Sequence, residues 1–190
     1  MSKVYLAGPE VFFANGNELI EQKKDIARHY GFTPVASVEE DDFPSGKFES
    51  GMFISTLNER LMKSADFIIA NLTPFRGISA DVGTVFELGF MCALGRPVFG
   101  YSNDPRDYDE RAANDYYVGA IKPVDGLLRA PDGQMVEDHE MADNLMIDGG
   151  IIARGGQVIR PNAGARLAND DTSMFESCLA AARDYFAMRA

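Results

Sequence analysis

Residues 66–72 read Asp66-Phe67-Ile68-Ile69-Ala70-Asn71-Leu72. The run is short and apolar on both sides of the pleat, and the next loop carries Pro74 and Gly77. Strands covered on both faces have this composition, and they are typical of parallel sheets. Outward from it, Val82 to Leu94 spaces its apolar residues as a helix that Gly95 ends. Pro97 to Tyr101 reads as the next strand. On the N-terminal side, Val4 to Ala7 is a short buried strand closed by Gly8-Pro9. Asn17 to Tyr30 is an amphipathic helix stopped by Gly31, and Thr33 to Ser37 is a second strand. Glu39 to Gly51 is acidic and turn-rich and reads as a loop, and Phe53 to Ala65 is a helix by its apolar spacing.

Strand and helix therefore alternate from residue 4 to residue 101. That order predicts an α/β fold, a flavodoxin-like (Rossmann-like) doubly wound parallel sheet with helices on both faces. Past Ser102 the pattern weakens. Residues 103–117 are polar with tyrosines, Asp132-Gly133 is a turn, and Met141 to Ala153 reads as a helix. Gln157 to Ile159 supplies an edge strand, the fifth of the sheet, and residues 160–171 form a loop. Ser173 to Met188 is an amphipathic helix with Phe175, Leu179, Ala182 and Phe186 on one stripe. There is no internal repeat, so residues 1–190 are expected to form one domain.

Twenty-nine acidic against eighteen basic residues leave a net charge of −11. Nucleic acid and anionic lipid both call for a basic surface, so neither is an expected partner. A small neutral or weakly charged ligand fits better. Cys92 and Cys178 are isolated thiols that form no disulfide framework or zinc pattern. With no leader-like or membrane-spanning run, a cytoplasmic setting is expected. Neither clustered His/Cys ligands nor a phosphate-cradling glycine loop occurs, so no metal or cofactor is expected. His29 and His139 belong to no constellation and are expected at the surface.

Between Val82 and Gly95 the single charged residue is Glu87. Phe90, Met91 and Leu94 follow it at i+3, i+4 and i+7, so it lies on an apolar stripe. A carboxylate in such surroundings is costly unless paired or used. Gly83, one turn earlier, leaves room for a ligand above it. Asp81 stands at the N-cap position, which brings two carboxylates to one helix mouth. Carboxylates held in different environments are the equipment of glycosidic cleavage. Two readings stand here: a catalytic pair, or a cap beside a glutamate that meets an arginine such as Arg76. The loops after the first strand and after residue 72 flank the switch point, where ligands of such sheets bind. Phe12 and Phe13 can stack on a base or fill the core.

Tyr5-Leu6-Ala7-Gly8-Pro9, then Leu72-Thr73-Pro74-Phe75-Arg76-Gly77, then Asp81-Val82-Gly83-Thr84-Val85-Phe86-Glu87-Leu88-Gly89 closely resemble the nucleoside 2-deoxyribosyltransferase family. Asn144-Leu145-Met146 and the helix after Phe175-Glu176-Ser177 resemble later family motifs. The resemblance implies a double displacement in which Glu87 attacks C1′ of a 2′-deoxynucleoside and a second base releases the sugar. It implies that Tyr5 holds Glu87, and that Asp66 and Asp81 contact substrate and move protons. The Gly8-Pro9 turn, Phe12, Arg76 and Gly83 are expected to line the substrate site. It further implies that Asn144 and Met146 enter a neighbouring subunit's site, so the partners expected are a deoxynucleoside, a free nucleobase and further copies of the chain.

Two rivals keep the fold. One is a 2′-deoxynucleoside 5′-monophosphate N-glycosidase, which passes the sugar to water. Pro9 lacks an N–H and Glu10 is acidic, which disfavours a phosphate there, whereas Arg76 would favour it. The other is a non-catalytic nucleotide-binding domain. Residues 103–143 match no family motif, and read either as a lid over the base or as an oligomer contact.

Overall fold

The computed structural model describes residues 1–35 and 43–189. Five parallel strands form the main sheet in the order β2-β1-β3-β4-β8. They are β1 (Lys3–Ala7), β2 (Thr33–Pro34), β3 (Phe67–Asn71), β4 (Val98–Tyr101) and β8 (Val158–Ile159). This is the expected flavodoxin-like order, with β1 and β3 adjacent at the switch point. All five residues of β3 are buried, as its uninterrupted apolar run requires of a central strand. Fully burying each of Phe67, Ile68 and Ile69 contributes about 1.5–3 kcal/mol.

Helices α1 (Gly16–His29) and α6 (Ser173–Ala187) cover one face. There Val4, Phe67, Ile69, Phe99 and Leu179 pack in one cluster. Helices α2 (Lys47–Ser64), α3 (Val82–Ala93) and α5 (Leu145–Ile152) cover the other face, over Tyr5, Ile68, Leu88, Met91 and Ile151. The α5 helix packs so closely that a side chain at Gly100 of β4 would sit 2.7 Å from Leu72 Cδ1 and 2.9 Å from Ile151 Cδ1. Gly95 ends α3 at φ +68°, the left-handed conformation expected of a helix-stopping glycine.

Several expectations are corrected. The α2 helix starts at Lys47, inside the stretch read as a loop, with Gly46 as its N-cap. The second strand is two residues long, and positions 36 and 37 lie outside the described residues. The fifth helix starts at Leu145 rather than Met141, because the Asn144 side chain accepts from Met146 N and caps it there.

The largest difference is residues 103–143. They hold a short helix α4 (Tyr108–Arg111), a wide turn at Ala112–Tyr116, and a small antiparallel sheet. Its strands are β5 (Lys122–Val124), β6 (Leu127–Arg129) and β7 (Met135–Val136). Asp125-Gly126 turns β5 into β6 with both residues at positive φ, as a tight hairpin requires. The expected turn at Asp132-Gly133 joins β6 to β7.

This arm is fastened to the β3–α3 loop. Buried Arg111 donates to Ile78 O at 2.8 Å and to Ala142 O at 2.5 Å. Its guanidinium lies 3.7 Å from Asp143 Oδ2, which accepts the Ala80 amide at 2.8 Å. Among the described residues, no helix is long and apolar enough to cross a membrane.

Candidate active site

At the carboxyl ends of β1 and β3 lies a cavity of about 570 Å³. Its walls include Tyr5, Gly8, Phe12, Asp81, Gly83 and Glu87. Strand alternation sends Tyr5 to the face covered by α3, and there its hydroxyl donates to Glu87 Oε1 at 2.5 Å. Burial pushes the Glu87 carboxyl up to about 7, against the stabilising Tyr5 hydrogen bond, and the nearby Asp81 charge adds to the rise. The Tyr5 hydroxyl is itself driven far upward by burial and by the Glu87 charge, so it stays a donor.

Asp81 is the N-cap of α3: its Oδ2 accepts from Thr84 N at 3.0 Å and from Thr84 Oγ1 at 3.2 Å. Its Oδ1 has no hydrogen-bond partner among the described residues. A side chain at Gly83 would meet only Asp81 Oδ2, at 3.0 Å, so the space above the carboxylates is open. Glu87 thus holds one oxygen fixed and presents the other to a cavity, a geometry suited to nucleophilic attack.

Other expected site residues stand elsewhere. Asp66 directly precedes β3, at the end away from Gly8, and does not line the cavity. Its Oδ2 accepts the Lys3 amide at 2.7 Å, so it ties β1 to the start of β3. Pro9 opens a 3-10 turn (Pro9–Phe12) and is buried away from the cavity, leaving Gly8 as the exposed part of the motif. Arg76 does not meet Glu87. It lies outside the cavity wall, 4.8 Å from the Phe12 ring centroid and 4.7 Å from that of Phe75. Phe12 and Phe75 are 5.4 Å apart and nearly parallel, so Phe12 belongs to an exposed stack at the rim and not to the core. Phe13 is tilted against Phe75 in the same group. Asn144 and Met146 do not line this chain's cavity; the Asn144 amide donates to Glu137 at 2.7 Å, and Met146 is exposed. His29 and His139 are exposed, as expected.

Lining residues not anticipated from the sequence include Glu10 as a paired group, Lys23, Asn58 and Tyr101. Glu10 is buried against Lys23, so its charge is compensated and does not repel a phosphate as expected. Lys23 carried the same signal as Glu87, since it sits one turn from Leu19 and one from Ala27 on the buried stripe of α1.

Comparison with known proteins points one way. The family model described as nucleoside 2-deoxyribosyltransferase matches residues 4–146. An uncharacterized protein of Schizosaccharomyces pombe is 34% identical over 169 residues, covering 82% of this chain and 79% of that protein. A solved 2-desoxiribosyltransferase from Leishmania mexicana superposes with a TM-score of 0.63 at 25% identity, covering 97% of this chain and 99% of that one.

Proposed function

The chain belongs to the nucleoside 2-deoxyribosyltransferase family, a family of enzymes acting on nucleosides, and from that membership we propose that it exchanges the base of 2′-deoxynucleosides through a covalent bond to Glu87. The observation that carries the reading is the Tyr5–Glu87 hydrogen bond inside an open cavity.

Glu87 attacks C1′ with the oxygen that Tyr5 does not hold. The C1′–N bond breaks, and its electron pair leaves with the base. The transition state has oxocarbenium character, which two nearby carboxylates stabilise. Asp81, with Oδ1 unengaged, meets the sugar or carries the proton that the departing base takes up. A second base then attacks C1′ from the vacated face and frees Glu87, with net retention. Phe12 at the rim offers a face for the base to stack on.

We place the working site in a homo-oligomer. Val82 and Phe86 on α3, with Met146 and Ile152 on α5, are exposed apolar side chains on two of the three helices that cover the Glu87 face. Covering them with a second copy would bring Asn144 and Met146 to a neighbouring cavity.

The test is incubation with deoxyinosine and adenine, looking for deoxyadenosine. Hydrolysis of the 5′-monophosphate is the second reading. The Arg76 guanidinium at the rim favours it, and Glu10, paired with Lys23, does not oppose it. Faster turnover of deoxyadenosine 5′-phosphate than of deoxyadenosine, with water as acceptor, would replace the first reading by the second.

A further inference from the structure

Behind the Gly8 turn lies a group of side chains that the chemistry above does not use. Glu10 Oε1 accepts from Lys23 Nζ, from Asn71 Nδ2 at 2.7 Å and from Tyr101 Oη at 3.3 Å. Lys23 Nζ also donates to Tyr101 Oη at 2.5 Å, and it lies 5.3 Å from the Phe175 ring centroid. The four polar residues come from the 3-10 turn, α1, β3 and β4, and none is more than 5% exposed. A buried ion pair gives little net stability, because desolvating both ions offsets their attraction. Apolar groups of similar size would serve the fold as well.

What the group does geometrically is hold Gly8. The Glu10 carboxylate folds back under that residue. A β-carbon on Gly8 would lie 2.8 Å from Glu10 Cδ and 2.9 Å from Asn71 Cβ. Gly8 has φ 170°, which any residue adopts, so the crowding and not the backbone calls for glycine. Gly8, Glu10, Val11 and Phe12 form a wall of the cavity that also holds Asp81 and Glu87.

We propose that the hydrogen-bonded cluster of Glu10, Lys23, Asn71 and Tyr101 is a positioning unit that sets the Gly8–Phe12 wall for a 2′-deoxynucleoside and so governs substrate affinity. It rests on the reading of the cavity as a deoxynucleoside site. None of the four side chains takes part in bond making.

The experiment compares the wild type with Glu10→Leu/Lys23→Met, Glu10→Gln and Gly8→Ala. Each is measured for thermal unfolding and for steady-state exchange of deoxyinosine with adenine. The double variant is expected to fold, to raise KM for deoxyinosine at least about tenfold, and to change kcat less than about threefold. Glu10→Gln keeps an acceptor for the three donors and is expected to stay within about threefold of wild-type KM. Gly8→Ala, whose methyl displaces the Glu10 carboxylate, is expected to reproduce the KM rise. Should the double variant not fold, Gly8→Ala and Glu10→Gln decide alone. Wild-type KM in a folded double variant or in folded Gly8→Ala overturns the proposal. So does a Glu10→Gln variant impaired as much as these two. Wild-type protein that exchanges no base rejects the functional reading itself, whereas wild-type exchange with unaltered KM in the variants rejects only the positioning role.

Discussion

The Tyr5 hydroxyl and Glu87 Oε1 meet at 2.5 Å across 82 residues of chain, joining the first strand to the third helix. The contact fixes one oxygen of the Glu87 carboxylate and stabilises its charged form. It also opposes the burial that pushes Glu87 up to about 7.

Exchange needs the ionised carboxylate, so kcat/KM is expected to rise with pH and to bend at about 7. Tyr5→Phe removes the hydrogen bond that lowers Glu87, so the bend moves to higher pH and the rate at pH 7 falls. A pH profile for kcat/KM, flat from pH 5 to pH 8 in the wild type, would contradict this assignment.

Glu87→Gln is expected to abolish exchange and to stabilise the fold. Glu87 binds its proton more tightly folded than unfolded. Its contribution to stability is therefore complete below the ordinary value of 4.5 and is lost as pH rises to about 7. Glutamine does not ionise, so the melting temperature of the variant should exceed that of the wild type by a margin that widens between pH 5 and pH 8. A margin that narrows with pH would show that Glu87 is not the strained group.

Asp81 both caps α3 and faces the cavity, and two substitutions separate these roles. Asparagine caps about as well as aspartate, whereas alanine loses about 1 kcal/mol. Both are expected to depress exchange, with only alanine lowering the melting temperature. Wild-type exchange in Asp81→Asn would reduce Asp81 to a cap.

Asp66→Ala is expected to keep kcat and KM while lowering stability by about 1 kcal/mol, because its partner is the Lys3 amide at the far end of the sheet. Loss of kcat in a folded Asp66→Ala protein would return this residue to the chemistry.

How much was legible in the sequence followed from how local each signal is. The unbroken apolar run of β3 announced a central strand, and Asp81, Glu87 and Gly95 announced a capped helix with one charge on its apolar stripe. The Lys3 amide contact of Asp66 was not legible, because an acidic residue before a strand looks the same whether it binds substrate or a neighbouring amide. The Glu10 cluster was hidden because its partners lie 13, 61 and 91 residues away, and each alone reads as an ordinary polar residue. The arm escaped notice because its strands are two or three residues long and β5 is exposed throughout, leaving no alternation to read.

The fastening of the arm to the β3–α3 loop gives the protein a clock. The Ala80 amide, held by Asp143 Oδ2 directly before the cap of the helix that carries Glu87, takes up deuterium only when that joint opens. Its exchange rate therefore times how often the second half of the chain lets go of the first, at a backbone position next to the start of α3.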